Sequence, residues 1–171
     1  RPEGPGRNWT LEQLVALEPK TKKGRDFENG KKMYAAAMCA QCHVLAGKGG
    51  LGGPDLTQLA GRYSFKDMID NIIHPSKVIS DQYQNVEITK KDGTRMVGRV
   101  VGEENGKLKV MPTPLNPDFT LNIPKSQVAE MKPSKVSSMM PGLLNALNEE
   151  EVLNLLAYIR SAGKASDPAF K

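Results

Sequence analysis

The chain has 171 residues, of which 39% are hydrophobic, 25% are charged and 5% are aromatic. These fractions indicate a soluble globular chain of one domain, or of one domain with an insertion, and they exclude a disordered polypeptide. The net charge of +5 favours acidic partners, but the basic residues lack the interleaved aromatics of a nucleic-acid-binding patch. No apolar run approaches the roughly 20 residues of a membrane span. Because the sequence begins at Arg1 and not at Met, we expect it to have been processed or excised.

Two helices are predicted before the only cysteines of the chain. Residues 1–8 are rich in Pro and Gly and predict a linker, after which Thr10 and Gln13 form the capping-box pattern of a short helix. A second helix is predicted from Asp26, because residues at helical spacing form one face and the pattern continues directly into the cysteines. That face comprises Phe27, Gly30, Tyr34, Ala37 and Met38.

A loop and a third helix are predicted after the cysteines. Residues 44–62 are rich in glycine and predict a loop. Ser64 and Asp67 then have the pattern of a helix cap, and Pro75 predicts the end of that helix.

The periodicity changes to that of β-structure over residues 82–132. Lys91-Asp92-Gly93 and Asn105-Gly106 are typical hairpin turns between alternating, β-branched segments. Residues 119–124 predict a further strand, and residues 125–131 a brief helical turn. We therefore predict a small antiparallel β module.

A last helix closes the chain. Asn148 and Glu151 predict its capped start, and Gly163 predicts its end. The predicted organisation is an N-terminal linker with a short helix (1–25), a helical domain in two segments (26–81 and 133–163), a β-rich insertion (82–132) and a C-terminal tail (164–171).

The segment Cys39-Ala40-Gln41-Cys42-His43 concentrates both cysteines and one of the two histidines in five residues. Two cysteines at this spacing reach the two vinyl groups of a haem, and the next residue presents an imidazole to the iron. A zinc site would need four ligands, and His74 is the only further histidine. A redox-active dithiol would be expected in a βαβ context. The pattern favours covalent haem over these two alternatives.

A haem bound through His43 leaves a sixth coordination position, for which methionine or histidine is plausible. His74 precedes Pro75 at a helix end and is better interpreted as a surface histidine. Met139 and Met140 lie in an irregular segment before the last helix, where a loop is able to cross the open haem face. The remaining methionines fall on predicted helices (Met38, Met68) or in and beside the β module (Met96, Met111, Met131), apart from Met33.

The motifs "GKKMYAAAMCAQCH", "GGPDL", a methionine–proline segment and "LNEEEVLNLLAYI", in this order, resemble the class I c-type cytochromes. The runs "HPSKVISDQYQNVEITKKDGTRMVGRVV" and "IPKSQVAEMKPSKVSSMMPGLLNAL" are similar to the haem-binding c-type domain typical of planctomycetes and verrucomicrobia. The resemblance implies a mainly α protein: a class I cytochrome c helical fold around one covalent haem c, interrupted by a small antiparallel β module.

The resemblance also implies the roles of individual residues. Cys39 and Cys42 would form the thioethers, His43 would be the proximal iron ligand, and the Pro54 carbonyl would accept a hydrogen bond from the imidazole. The sixth ligand would be Met139, by gapless comparison, with Met140 as the alternative because it directly precedes proline. In addition, Gly30 and Tyr34 would meet Tyr158, closing the first long helix against the last.

The function implied is single-electron transfer by a monohaem cytochrome with His/Met axial ligation, either free or as the electron-accepting domain of a larger dehydrogenase, and not an enzyme by itself. The alternative is a haem-based ligand sensor or peroxidase-like site with a labile sixth ligand. The implied partner is a redox protein with an acidic docking surface, and the implied location is periplasmic or otherwise exported.

Overall fold

The computed structural model describes residues 1–171, which divide into two compact units. The first unit comprises Arg1–Pro75 and Met140–Lys171, and the second comprises Ser76–Met139. Helices account for 32% of the residues and strands for 20%, including a five-stranded antiparallel sheet. The predicted mainly α class is therefore wrong. The β-branched, alternating segments are more than an interruption, because they form a complete sheet with an apolar core of its own.

The first unit contains six helices and a two-stranded hairpin. The helices are α1 (Leu11–Ala16), α2 (Phe27–Ala36), α3 (Cys39–Cys42), α4 (Leu59–Arg62), α5 (Phe65–Ile73) and α6 (Glu149–Arg160). The hairpin strands are β1 (Val44–Leu45) and β2 (Lys48–Gly49), and short 3₁₀ helices lie at Glu18–Thr21 and Pro168–Phe170. None of the helices is both long and apolar enough to cross a membrane.

Side-chain caps determine where the main helices begin. Thr10 caps α1 in the predicted capping box with Gln13. Ser64 caps α5, and Asn148 forms a second capping box at α6. Each cap satisfies backbone N–H groups that have no partner inside the helix. These predictions are confirmed.

Helices α2 and α6 pack at close range through a glycine. A Cβ atom on Gly30 would lie 2.3 Å from the Asn154 carbonyl oxygen, so only glycine fits. The rings of Tyr34 and Tyr158 lie 5.5 Å apart, and Phe27 packs edge-on against Tyr158 at 5.4 Å. The predicted meeting of Gly30 and Tyr34 with Tyr158 is confirmed, and it joins the two segments of the first unit.

Two predictions for the first unit are wrong. Helix α2 does not continue into the cysteines: it ends at Ala36, and Met38 has the left-handed φ of 66° before α3 begins. Residues 44–62 are not only loop, since the chain pairs Val44 with Gly49 in a hairpin and forms α4. Residues of this stretch also donate hydrogen bonds to carbonyl groups of α3, as described below for the site.

The second unit is the five-stranded sheet. Its strands are β3 (Val86–Lys90), β4 (Arg95–Glu104), β5 (Lys107–Met111), β6 (Leu121–Pro124) and β7 (Val128–Pro133), in the order β6-β5-β4-β3-β7. Both predicted hairpin turns are present, and Asn105 and Gly106 have positive φ values of 51° and 71°. The buried core consists of Ile88, Leu108, Val110 and Ile123.

The two ends of the second unit are adjacent. The Ser137 backbone N–H donates to Ser76 Oγ at 2.9 Å. The predicted helical turn over 125–131 is only partly present, because a 3₁₀ turn at Lys125–Gln127 leads directly into β7, which pairs with β3. The borders predicted from the sequence, 82 and 132, lie inside this unit.

Candidate haem site

The two cysteines lie on one short helical turn, α3. The left-handed residue Met38 separates this turn from α2 and so gives it its own direction. Cys39 and Cys42 are three residues apart on α3, a spacing that places both side chains on the same side of a helix. Both are free thiols and partly buried. Two thiols on one side of a single turn are able to bond one planar ligand.

His43 follows directly, and three of its polar groups are held by the protein. Its backbone N–H donates to the Cys39 carbonyl at 2.9 Å. Its carbonyl oxygen accepts from the Tyr34 hydroxyl at 3.2 Å, and its Nδ1 lies 2.7 Å from the Pro54 carbonyl oxygen. Because a carbonyl oxygen only accepts, Nδ1 carries the proton and donates. Nε2 of the neutral ring is then left with a free lone pair, which is what an iron ligand needs.

Glycines let the following loop approach α3 closely. The Gly50 N–H donates to the Ala40 carbonyl at 2.9 Å, and the Gly53 N–H donates to the Cys42 carbonyl at 2.7 Å. A Cβ on Gly50 would lie 1.9 Å from the Gln41 carbonyl oxygen, and one on Gly53 would lie 2.9 Å from His43 Cε1. The sequence predicts only a loop here, although its dense glycine run is a signal for a close backbone approach.

The Pro54 carbonyl is fixed by the residues that follow it. The Leu56 N–H donates to the Val44 carbonyl at 2.8 Å, and Asp55 Oδ1 accepts from both the N–H and the hydroxyl of Thr57. These two hydrogen bonds hold the pKa of Asp55 below its usual range. Thr57 Oγ1 also accepts from the Ala46 N–H at 3.2 Å. The segment is therefore joined to the β1–β2 hairpin, which holds the acceptor of the imidazole proton in place.

Burial governs the ionisation of the site. Desolvation raises the pKa of the Cys39 thiol to about 11 and also raises that of Cys42. It lowers the pKa of His43, although the hydrogen bond to Pro54 acts in the opposite direction. At neutral pH the site therefore holds two thiols and a neutral imidazole. Reactive dithiols have lowered thiol pKa values, so this environment does not favour the dithiol alternative.

The zinc alternative lacks further ligands. No three side chains among His, Cys, Asp and Glu come together in the structure. His74 instead lies at the end of α5, where its Nδ1 is 2.7 Å from Asp70 Oδ1, as expected for a surface histidine. The donor set of Cys39, Cys42 and His43 fits a covalently bound haem, because it supplies two thiols and one oriented imidazole.

The methionine pair lies where the two units meet in sequence. Met139 is the last residue of the second unit, is partly buried, and its backbone N–H donates to Ser137 Oγ at 3.1 Å. Met140 is the first residue of the returning segment of the first unit, and 50% of its surface is exposed. Among the other methionines, Met68 and Met111 are buried at 3% exposure, and Met131 is exposed on β7.

Part of the chain matches a known protein family. Residues 27–109 match the model of the family described as cytochrome c. Over these residues the chain is similar to cytochrome c. Such domains bind haem c covalently and serve in electron transfer, which agrees with the donor set at α3. The match to cytochrome c begins with α2 and includes the Cys39–His43 segment and Pro54, but it ends before the methionine pair. No curated protein matches the chain significantly.

Proposed function

We propose that the protein is a monohaem c-type cytochrome, or the cytochrome domain of a larger protein, that carries single electrons. Cys39 and Cys42 form the thioethers to the haem, and His43 is its proximal iron ligand. The observation that carries this proposal is the hydrogen bond from His43 Nδ1 to the Pro54 carbonyl at 2.7 Å. It fixes the tautomer and the ring orientation beside two free thiols, and it raises the basicity of Nε2 as a ligand.

The chain's own residues prepare the site for a reaction that involves no proton transfer. The haem iron supplies a one-electron Fe(III)/Fe(II) couple. Since Nδ1 donates to a carbonyl and not to a carboxylate, the imidazole stays neutral and keeps the same hydrogen bond in either redox state. Tyr34 donates to the His43 carbonyl and is itself buried, with a pKa raised by desolvation, so it remains a hydroxyl at all physiological pH values.

The proposed sixth ligand is Met139, with Met140 as the alternative. The support is the resemblance to the class I c-type cytochromes, together with the position of the pair in an irregular segment before α6. A thioether ligand favours the ferrous state and raises the reduction potential relative to a second imidazole. Adjacent side chains generally point in different directions, so only one of the two sulfurs is expected to bind.

Attachment and ligation are tested separately. If the haem extracts into acidified organic solvent from the denatured protein, the thioether assignment is wrong. His43→Ala should leave the haem attached but change its ligation, whereas His74→Ala, which alters the only other histidine, should leave the spectrum unchanged. Equal effects of both variants would contradict proximal ligation by His43.

The ferric spectrum tests the sixth ligand. Methionine ligation predicts a weak sulfur-to-iron band near the red end of the spectrum. Met139→Leu should abolish the band and Met140→Leu should retain it, and the reverse result assigns Met140. A wild-type spectrum without the band would favour the second candidate function, a ligand sensor or peroxidase-like site with a labile sixth position.

The proposed partner is a redox protein with an acidic docking surface, for which the net charge of +5 is the support. In a longer parent chain, the proposed partner is a dehydrogenase domain of the same polypeptide. The proposed location is periplasmic or otherwise exported, since c-type haem attachment takes place outside the bacterial inner membrane. A parent gene that encodes neither an export signal nor a membrane anchor would contradict this location.

A further inference from the structure

An N-terminal arm, residues 3–9, crosses the loop that connects the methionine pair to α6. That loop, residues 141–148, has turns but no regular helix or strand. Five hydrogen bonds join the arm to the loop and to the first turn of α6. They are Glu3 N–H to Glu151 Oε1 (2.6 Å), Asn148 Nδ2 to Gly4 O (3.1 Å), Asn145 Nδ2 to Asn8 Oδ1 (3.2 Å), Trp9 N–H to Asn145 Oδ1 (3.4 Å) and Trp9 Nε1 to Leu147 O (3.1 Å).

Asn145 is the centre of these contacts. Its side-chain amide uses both ends, accepting from the Trp9 backbone and donating to Asn8. Its own N–H donates to the Gly142 carbonyl at 3.0 Å, and Gly142 has a left-handed φ of 78°. This turn lies two residues after Met140. Asn145 therefore connects the arm to the turn that follows the methionine pair, where the chain returns to the first unit.

The arm is itself anchored and fits the loop closely. Trp9 is buried at 5% exposure in the same core as Leu144 and Leu147, so the end of the arm is fixed independently of its hydrogen bonds. A Cβ on Gly6 would lie 1.9 Å from the Asn145 carbonyl oxygen, which leaves no space for a side chain there. A side chain at position 6 must therefore push the arm and the loop apart.

We propose that Asn145 is a positioning residue for the sixth iron ligand, and that the arm acts through it. The amide and the arm hold the loop 141–148 in one conformation and thereby determine where the preceding methionine sulfur lies. This inference rests on the methionine ligation of the proposed function. Its chemical consequence is protection: an anchored loop keeps the methionine competitive against external ligands for the iron.

The test uses imidazole as the competing ligand and ferric holoprotein. Asn145→Ala and Gly6→Ala should each bind imidazole about tenfold more tightly than the wild type, the factor that one or two lost hydrogen bonds supply. Asn145→Asp keeps the acceptor for Trp9 but not the donor to Asn8, so it should fall between. The matched controls are Gly61→Ala, where nothing lies within 4 Å of the added Cβ, and Asn122→Ala at an exposed position of β6. Both controls should bind imidazole as the wild type does.

A second readout is independent of the haem. Hydrogen exchange of the Asn145 backbone amide should accelerate in Gly6→Ala but not in Gly61→Ala, because only the former disturbs the turn at Gly142. Suppose that the wild type shows the sulfur-to-iron band but that Asn145→Ala lowers thermal stability without changing imidazole affinity. The positioning role of Asn145 is then overturned, whereas methionine ligation stands. If the wild type lacks the band, methionine ligation fails and this inference fails with it.

Discussion

Replacing Gly30 by alanine sets two effects in opposition on helix α2. Alanine is about 1 kcal/mol more favourable than glycine inside a helix. The added Cβ, however, would lie 2.3 Å from the Asn154 carbonyl oxygen and 2.9 Å from Tyr158 Cβ. The first of these atoms belongs to the α6 backbone and cannot rotate away, so the two helices must separate.

The cost of that separation exceeds the gain in helix propensity. Overpacking of a close-packed contact costs about 1–3 kcal/mol. Separation also weakens the hydrogen bond from the Asp26 N–H to Asn154 Oδ1, now 3.0 Å, which contributes about 1 kcal/mol. After subtraction of about 1 kcal/mol for propensity, we expect Gly30→Ala to lower the free energy of unfolding by about 1–3 kcal/mol.

Denaturant unfolding followed by tryptophan fluorescence measures this loss in the first unit alone. Trp9 is the only tryptophan of the chain and lies in the core that α2 and α6 share. The control is again Gly61→Ala, which gains helix propensity in α4 with open space around the new Cβ, so its stability should equal or exceed that of the wild type. If Gly30→Ala unfolds at the same denaturant concentration as Gly61→Ala, the close-approach reasoning is wrong.

Three further predictions concern the haem site. Gly53→Ala places a Cβ 2.9 Å from His43 Cε1, so the imidazole should turn away from its acceptor and the ferric spectrum should show altered ligation; an unaltered spectrum would refute this. Tyr34→Phe removes the donor to the His43 carbonyl and should lower the free energy of unfolding, measured with denaturant, by about 1 kcal/mol. This free energy is expected to stay unchanged only if a water molecule replaces the hydroxyl. Thr57→Val should raise the pKa of Asp55, because the Thr57 hydroxyl helps to lower it. A carboxyl whose pKa is lowered in the folded state stabilises the fold at pH values above its ordinary pKa. This stabilisation is lost as the pH falls through the folded-state pKa. The stability of Thr57→Val should therefore change less with pH in the acid range. Carboxyl NMR titration measures the pKa of Asp55, and acid unfolding measures the stability.

Local signals explain the elements that the sequence predicted correctly. The capping boxes at Thr10 and Asn148 need only residues three positions apart, and the Asn105-Gly106 turn needs only two residues that tolerate positive φ. The packing of Gly30 against Tyr158 is long-range and came instead from a resemblance to a known family. The spacing of Cys39, Cys42 and His43 is likewise a local pattern.

Long-range contacts explain the errors. No glycine or proline lies between Ala37 and Cys39 to signal the break at Met38, and the turn α3 that follows it is hydrogen-bonded by Gly50 and Gly53 of a later loop. The same holds for β7, where a segment with helical character becomes a strand because it pairs with β3. Tertiary context overrides local propensity in both cases. Of the five-stranded sheet, the sequence misses only β7, and the predicted mainly α class is wrong because the five strands form a compact unit of their own.

The division of the first unit into two sequence segments has a consequence for folding during synthesis. The contact from Asp26 to Asn154 joins residues 128 positions apart, so α2 cannot pack against α6 until the chain has been made as far as Asn154. The second unit is continuous, and its ends meet at Ser76 and Ser137. Once folded, it brings the flanking segments together and shortens the effective loop that α6 must close, which reduces the entropic cost. The sheet is therefore able to form before α2 packs against α6, and the cysteine-bearing turn stays accessible to modifying enzymes until α6 docks.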